Sequence, residues 1–390
     1  MNKKIVLSKH NLIEFIISFF LFNLLFGTLT PDSFQKAINM IGIAISLFIA
    51  LIVLQYANYN RSKIKIEILL FLFWAGALYS TYCSRESYMQ MNSWQAGIYF
   101  IFRILSFFVM LVYSVERGDG KEIIKEFFVI SLIYCLINDL VFIPQMAVFR
   151  ATQGYLLGNK FSVSYMHLEM VAFYIFQGAL GNKTKKNITL VLILYSLTIS
   201  LLVDCITGVM GVLFFIVLAF LLPKKITRNP LLWVVISVLS FASVYNYNYI
   251  VETDIYQKLF VRSLDRGVTL TGRMNIYKEL PHLMSGHWLW GYGPSSSYEV
   301  IHNYLNMPNT QNGFWDIILQ VGIVSFTFLA LLTIYSIYQI DKKKENFLIP
   351  IIAMLDMYSV LAIFEITISL SFIGFVIIAA VYSSSQVIEI

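Results

Sequence analysis

Apolar runs of bilayer-spanning length follow one another along almost the whole chain, interrupted by short clusters of charge, Pro, Gly and Asn. Such runs are much longer than the alternating strands of a membrane barrel. A backbone in lipid must also satisfy its own hydrogen bonds, so the runs predict helices. Marking the breaks gives twelve expected spans, at about 12–29, 38–57, 64–82, 96–115, 123–143, 163–180, 188–204, 207–222, 230–249, 313–339, 346–365 and 368–383. Several are a few residues short of a full crossing. The pair at 188–222 is divided only by Asp204, Cys205 and Ile206, which allows a tight helical hairpin or a single bent element. The expected fold class is all-α: one polytopic membrane domain over residues 1–390, with about 12 transmembrane helices and a long extracytoplasmic loop, 250–312, between the ninth and tenth.

Composition supports the class. The 390 residues are 58% hydrophobic and only 13% charged, and 16% are aromatic, which excludes an ordinary soluble domain. The first run is flanked by Lys3, Lys4 and Lys9, and no small-residue cleavage site precedes Pro31, so it reads as a retained span. Three cysteines, Cys83, Cys135 and Cys205, are an odd number without metal-ligand spacing and imply neither a disulfide framework nor a metal site. The net charge of +6 could point to nucleic acid in a soluble protein; here topology accounts for it, and no nucleic-acid partner is expected. With a cytoplasmic N-terminus, about 18 of the basic residues fall inside and about 9 outside, and each short inner loop carries its own cluster. Both termini are then expected in the cytoplasm and the 250–312 loop on the outer face.

That loop holds Lys258, Arg262, Arg266, Arg273 and Lys278, against the inside bias. An anionic ligand would explain them, because a guanidinium presents a planar fork of donors that matches phosphate oxygens. Pairing with Glu252, Asp254, Asp265, Glu279 and Glu299 on a solvated surface is the plainer alternative. Gly291-Tyr292-Gly293-Pro294 is a turn by composition. Trp288, Trp290, Tyr298 and Tyr304 surround it, and such rings either anchor at a bilayer interface or stack on sugar faces.

Thr271-Gly272-Arg273, a short helical stretch, Gly291-Tyr292-Gly293, a polar segment and then Gln311-Asn312 opening a span with Gly322 further along it together resemble the outer loop of the O-antigen ligase and polymerase superfamily. Within it the likeness is greatest to the Wzy-type polymerases of capsule and O-antigen repeat units. It covers roughly residues 262–330; elsewhere only the number and layout of spans agree, with a weaker echo at Gly158-Asn159. Two departures stand out. The family usually carries His-Asn at the mouth of this span, where this chain has Gln311-Asn312, with His302-Asn303 upstream as a rival. Relatives also often carry an arginine where this chain has Thr207-Gly208, so a second phosphate ligand would come from elsewhere, such as Arg150 or Arg266, or be absent.

The resemblance implies a polysaccharide repeat-unit polymerase, a glycosyltransferase of the bacterial cytoplasmic membrane acting at its outer face. Its substrate would be a polyprenyl diphosphate-linked oligosaccharide, and its partners membrane lipid, a chain-length regulator and a flippase. A hydroxyl of one unit would attack the anomeric carbon of another as polyprenyl diphosphate departs. That needs cations for the diphosphate and a group to orient or deprotonate the hydroxyl. Arg273 is the first choice for the diphosphate, helped by Arg266, Arg150 and Arg262, with Gly272, Gly291, Tyr292, Gly293 and Asn312 shaping the substrate site. No acidic metal-binding motif occurs, so neither metal nor other cofactor is expected. Gln311 can only orient the acceptor, which leaves Glu169 or His302 as base. Asp139, His167, Glu169, Asp204 and Glu365 all lie toward the expected outer ends of their spans. Such a distribution hints at a polar chamber, while pairing with Arg103 or Arg150 is the alternative. His167 and Glu169, two apart on a helix, should not share a face. The competing functions are a ligase passing finished glycan to an acceptor, a flippase or other transporter, and a non-catalytic sensor or scaffold.

Overall fold

A computed structural model describes residues 9–56, 61–84, 94–146, 154–181, 184–253 and 273–385. Each of the twelve apolar runs contains a helix, and no strand occurs among the described residues. The order is α1 (Lys9–Leu25), α2 (Asp32–Tyr56), α3 (Arg61–Cys83), α4 (Trp94–Glu116), α5 (Gly120–Met146), α6 (Lys160–Leu180), α7 (Lys186–Leu202), α8 (Ile206–Ile216), the four-residue α9 (Lys224–Thr227) and α10 (Pro230–Glu252). There follow two short helices of the long loop, α11 (Arg273–Leu283) and α12 (Ser297–Leu305), then α13 (Gly313–Lys343), α14 (Ile349–Leu361) and α15 (Leu370–Ser384). Five helical stretches are long and apolar enough to cross a membrane: Asp32–Leu51, Ile64–Cys83, Trp94–Glu116, Pro230–Tyr247 and Gly313–Lys343. The chain is thus a helical protein of membrane type. The 188–222 segment resolves into a hairpin, α7 and α8, turned at Asp204 with φ 52° and closed by Cys205 N–H donating to the Ser200 carbonyl at 2.9 Å.

Helices α14 and α15 are buried on nearly every face, as expected of helices apolar all round at the centre of a bundle. Around them an aromatic knot ties four helices together: Phe22 of α1 and Phe26 just past its end, Phe127 of α5, Phe173 of α6 and Phe375 of α15, with ring centroids 5.2–5.6 Å apart for Phe26–Phe173, Phe26–Phe375, Phe173–Phe375 and Phe22–Phe127. Edge-on and offset packing of this kind adds to the area each ring buries. Leu51, Phe71, Leu190, Leu231 and Leu239 point outward and exposed, an apolar perimeter suited to lipid.

Helix α13 is not continuous. Gly322 has φ 75° and ψ 167°, which splits it into a short first limb and a long second one. A helix break strands carbonyls on one side and N–H groups on the other. Here a single segment of the long loop satisfies both. Tyr292 and Gly293 N–H donate to the Leu319 and Gln320 carbonyls at 2.7 and 2.8 Å, and Ile323 N–H donates to the Trp288 carbonyl at 2.9 Å. Ser80 of α3 completes the seal: its hydroxyl donates to the Gln320 carbonyl at 2.8 Å and accepts from Gly293 N–H at 3.0 Å. The fit requires glycine twice. A Cβ on Gly322 would lie 2.2 Å from the Leu289 carbonyl oxygen, and one on Gly291 would lie 2.7 Å from three backbone atoms of α13.

Candidate functional site

Four breaks in the helical pattern meet at one end of the bundle. They are the α1–α2 turn at 26–31, the start of α6 at Asn159, the approach to α13 at 309–312, and the α14–α15 connection at 362–369. Each is tied to a neighbour through backbone. Gly313 N–H donates to the Ala362 carbonyl at 2.9 Å, Thr30 N–H to the Leu156 carbonyl at 2.9 Å, and the Tyr277 hydroxyl of α11 reaches the Gln311 and Ile363 carbonyls at 2.7 and 2.8 Å. The alternation of expected spans assigns all four connections to the same side.

Between them lies a cavity of about 360 Å³ whose polar walls include Glu169, Gln311, Glu365, Asn309, Asn159 and Tyr358. Glu169 is buried on α6, and the Tyr358 hydroxyl of α14 donates to its Oε1 at 2.6 Å. Gln311 sits in left-handed backbone, φ 56°, which is uncommon for a residue with a side chain and is held by its surroundings. Its N–H and its amide Nε2 both donate to Asn309 Oδ1, at 3.0 and 2.6 Å, and its Oε1 accepts from Arg273 Nε at 3.3 Å. Arg273, the first residue of α11, is 8% exposed and sits behind the wall rather than in it. Its Nη2 donates to the Phe364 carbonyl at 3.0 Å and pairs with Glu365 Oε1 at 3.5 Å. One guanidinium therefore holds both Gln311 and Glu365, on two separate connections, against the same cavity.

Of the sequence-predicted residues, the structure brings together Glu169, Gln311 and Arg273, with Glu365. Arg150, Arg262, Arg266 and Gly272 lie outside the described residues. His302 stands on the exposed side of α12 with its ring stacked 5.4 Å from Tyr298, and does not line the cavity. Asn312 is the N-cap of α13, accepting from Phe314 and Trp315 N–H at 3.1 Å each while its amide donates to the Ser240 carbonyl at 3.1 Å. Gly291, Tyr292 and Gly293 form the seal at Gly322, and the Tyr292 hydroxyl donates to the Leu283 carbonyl at 2.6 Å, with burial pushing its pKa up to about 12. Trp288 packs on Trp315 at 5.3 Å, Trp290 stands edge-on to Tyr79 at 4.5 Å, and Tyr298 and Tyr304 stay exposed.

The ionisable residues of the apolar runs divide as their helical spacing requires. His167 Nε2 meets Asp139 Oδ2 at 3.1 Å, joined there by the Tyr195 hydroxyl at 2.5 Å, whereas Glu169 faces the cavity. Asp204 does not line this cavity; its backbone carbonyl accepts from Lys160 Nζ at 2.9 Å. Tyr358 and Asn309 went unnoticed in the sequence: the first is one tyrosine in an apolar run, the second one asparagine among several. Buried Asp316, which accepts from Ser297 and Thr310 hydroxyls, and Asp356, whose carboxylate has no hydrogen-bond partner among the described residues, were also missed. No group of three or more His, Cys, Asp or Glu placed to hold a metal occurs among the described residues. No family profile, curated protein or solved structure matches the chain.

Proposed function

We propose that this chain is a membrane glycosyltransferase that polymerises polyprenyl diphosphate-linked oligosaccharide units at the outer face of a bacterial cytoplasmic membrane, spanning it about twelve times with both termini inside. The observation that carries the reading is the coupling of Arg273 to Gln311 and Glu365 beside a polar cavity that also holds Glu169. It joins a cation, an amide and a carboxylate, the three group types the reaction asks for. In this reading Gln311 orients the attacking hydroxyl and Glu169, with Tyr358 hydrogen-bonded to it, accepts the proton. The hydroxyl oxygen bonds to the anomeric carbon as the bond to the diphosphate oxygen breaks. The guanidinium of Arg273, released from Glu365 or reaching past it, offsets the charge on the departing diphosphate.

A flippase is the second reading, because broken spans mark many transporters and α13 is broken. The break at Gly322 favours it little, since loop backbone fills it completely. Deleting the gene and resolving the surface glycan by electrophoresis separates the classes. Single-repeat products identify a polymerase, polymer left unattached to its acceptor a ligase, and loss of all external repeats a flippase. Complementation with Glu169→Ala or Gln311→Ala is expected to lower polymer yield by about a hundredfold. Normal chain lengths from both variants would remove the acceptor half of the mechanism.

A further inference from the structure

A second and larger recess, about 1070 Å³, runs between α2 and α4. Along α2 its wall changes character: Asp32 and Lys36 come first, then Met40, Ile43 and Leu47 on the following turns, with Ile98 of α4 among the residues opposite. Met40, Leu47 and Ile98 are exposed, so the recess opens on the apolar perimeter of the bundle. From Lys36 to Leu47 a helix rises about 16 Å, close to half of a hydrocarbon core about 30 Å thick. The apolar part of the groove therefore has the length of an acyl chain from one leaflet.

The polar end is built around one ring. Lys36 Nζ lies 6.0 Å and the Arg103 guanidinium 5.5 Å from the centroid of Tyr99, whose hydroxyl accepts from Asn39 Nδ2 at 2.9 Å. Arg103 Nε donates to the Leu24 carbonyl at 2.7 Å, in the last turn of α1, where a helix leaves its carbonyls unsatisfied. That bond fixes the guanidinium, and its other N–H groups, which have no partner among the described residues, border the recess. Asp32 stands one turn before Lys36, yet no carboxylate among the described residues pairs with either cation. Two cations and one carboxylate thus line the recess and leave it a single positive charge. An arginine set in an apolar helix without a counter-ion is costly unless a partner supplies one.

We infer that this recess holds a phosphodiester lipid of the surrounding bilayer with one negative charge and a hydroxylated headgroup, its phosphate between Arg103 and Lys36 and one acyl chain along Met40, Ile43 and Leu47. The balance of charge makes the selection, and the cations alone would not. A phosphodiester brings the one charge that neutralises the recess, whereas a phosphomonoester, nearer two charges at neutral pH, would overshoot it beside Asp32. A zwitterionic headgroup would leave the positive charge uncompensated. The Asp32 carboxylate has no hydrogen-bond or ion-pair partner among the described residues and accepts from the headgroup hydroxyls. The apolar groove excludes free phosphate as the natural occupant. This site goes beyond the polymerase reading and stands without it.

The test uses the full chain in nanodiscs of phosphatidylcholine, with binding followed by native mass spectrometry at neutral pH. The probes are phosphatidylglycerol, phosphatidylethanolamine, phosphatidic acid and inorganic phosphate. Phosphatidylglycerol is expected to bind about tenfold more tightly than each of the others. Lys36→Glu, at an exposed position that should not disturb folding, and Arg103→Gln are each expected to weaken it about tenfold. Asp32→Asn leaves two uncompensated positive charges and should turn the preference to phosphatidic acid, a reversal that a merely apolar groove would not show. Binding of phosphatidylethanolamine or inorganic phosphate equal to that of phosphatidylglycerol overturns the site, as does unchanged binding in Lys36→Glu. A preference for phosphatidic acid in the unaltered chain, or no gain of it in Asp32→Asn, overturns the selection by charge on which the proposal stands.

Discussion

Trp288–Gly293 and Asn309–Asn312 both belong to the polar stretch ahead of α13, and both lie against that helix. In the first, the backbone is consumed: its N–H and carbonyl groups replace the hydrogen bonds that α13 loses at Gly322, and its glycines are there for closeness. In the second, the work is divided between adjacent side chains. Asn312 caps the helix, while Gln311, held in left-handed backbone and steadied by Asn309 and Arg273, turns its amide to a cavity. Their composition differs, the first being aromatic and glycine-rich and the second amide-rich. What separates them is whether the polar groups are used up by the fold or left facing space.

The sharpest way to break this contrast is at the seal. Gly322→Ala must accommodate a Cβ 2.2 Å from a carbonyl oxygen at a φ of 75°, and a loss of about 3–5 kcal/mol is expected, seen as a large fall in Tm in detergent and loss of monodispersity. A Tm close to that of the unaltered chain would mean that the break is not sealed as described. Asn312→Ala should cost about 1–2 kcal/mol, through the lost cap, and on the proposed polymerase reading lower polymer yield only in proportion to the folded protein recovered. Gln311→Gly separates the two roles most cleanly. Glycine accepts the left-handed backbone, so stability should stay within about 1 kcal/mol of the original, while on the proposed polymerase reading polymer length collapses. Intact polymer from a stable Gln311→Gly chain would put Gln311 in the same structural class as Asn312. Gln311→His offers a smaller effect of opposite sign: it should keep activity and gain a pH dependence near the imidazole's own titration range.

The helices themselves were legible because length and apolarity are local properties, and all twelve runs contain one. At 188–222 the interruption by Asp204-Cys205 was readable, but a hairpin and a single bent element both fitted it; the left-handed turn at Asp204 decides for the hairpin. The break in α13 escaped notice for a physical reason. Gly322 sits in a mostly apolar run, and a helix tolerates one glycine; only a backbone segment arriving from some thirty positions earlier makes the break stable. In the site, Glu169 was readable as a carboxylate placed high on its helix and turned away from His167. Its contact with Tyr358 depends on how α6 and α14 pack, and the joint hold of Arg273 on Gln311 and Glu365 depends on three connections meeting. None of these has a signature along the chain.

The filled break in α13 bears on how the protein is made. A nascent chain leaves the ribosome from its N-terminus, so Trp288–Gly293 and Ser80 of α3 emerge ahead of Gly322, and the plug exists before its socket. Until the two meet, the peptide groups beside Gly322 would face lipid unpartnered, which hydrocarbon penalises heavily. Maturation of this chain is therefore expected to couple entry of its tenth apolar run to docking of a loop segment made before it.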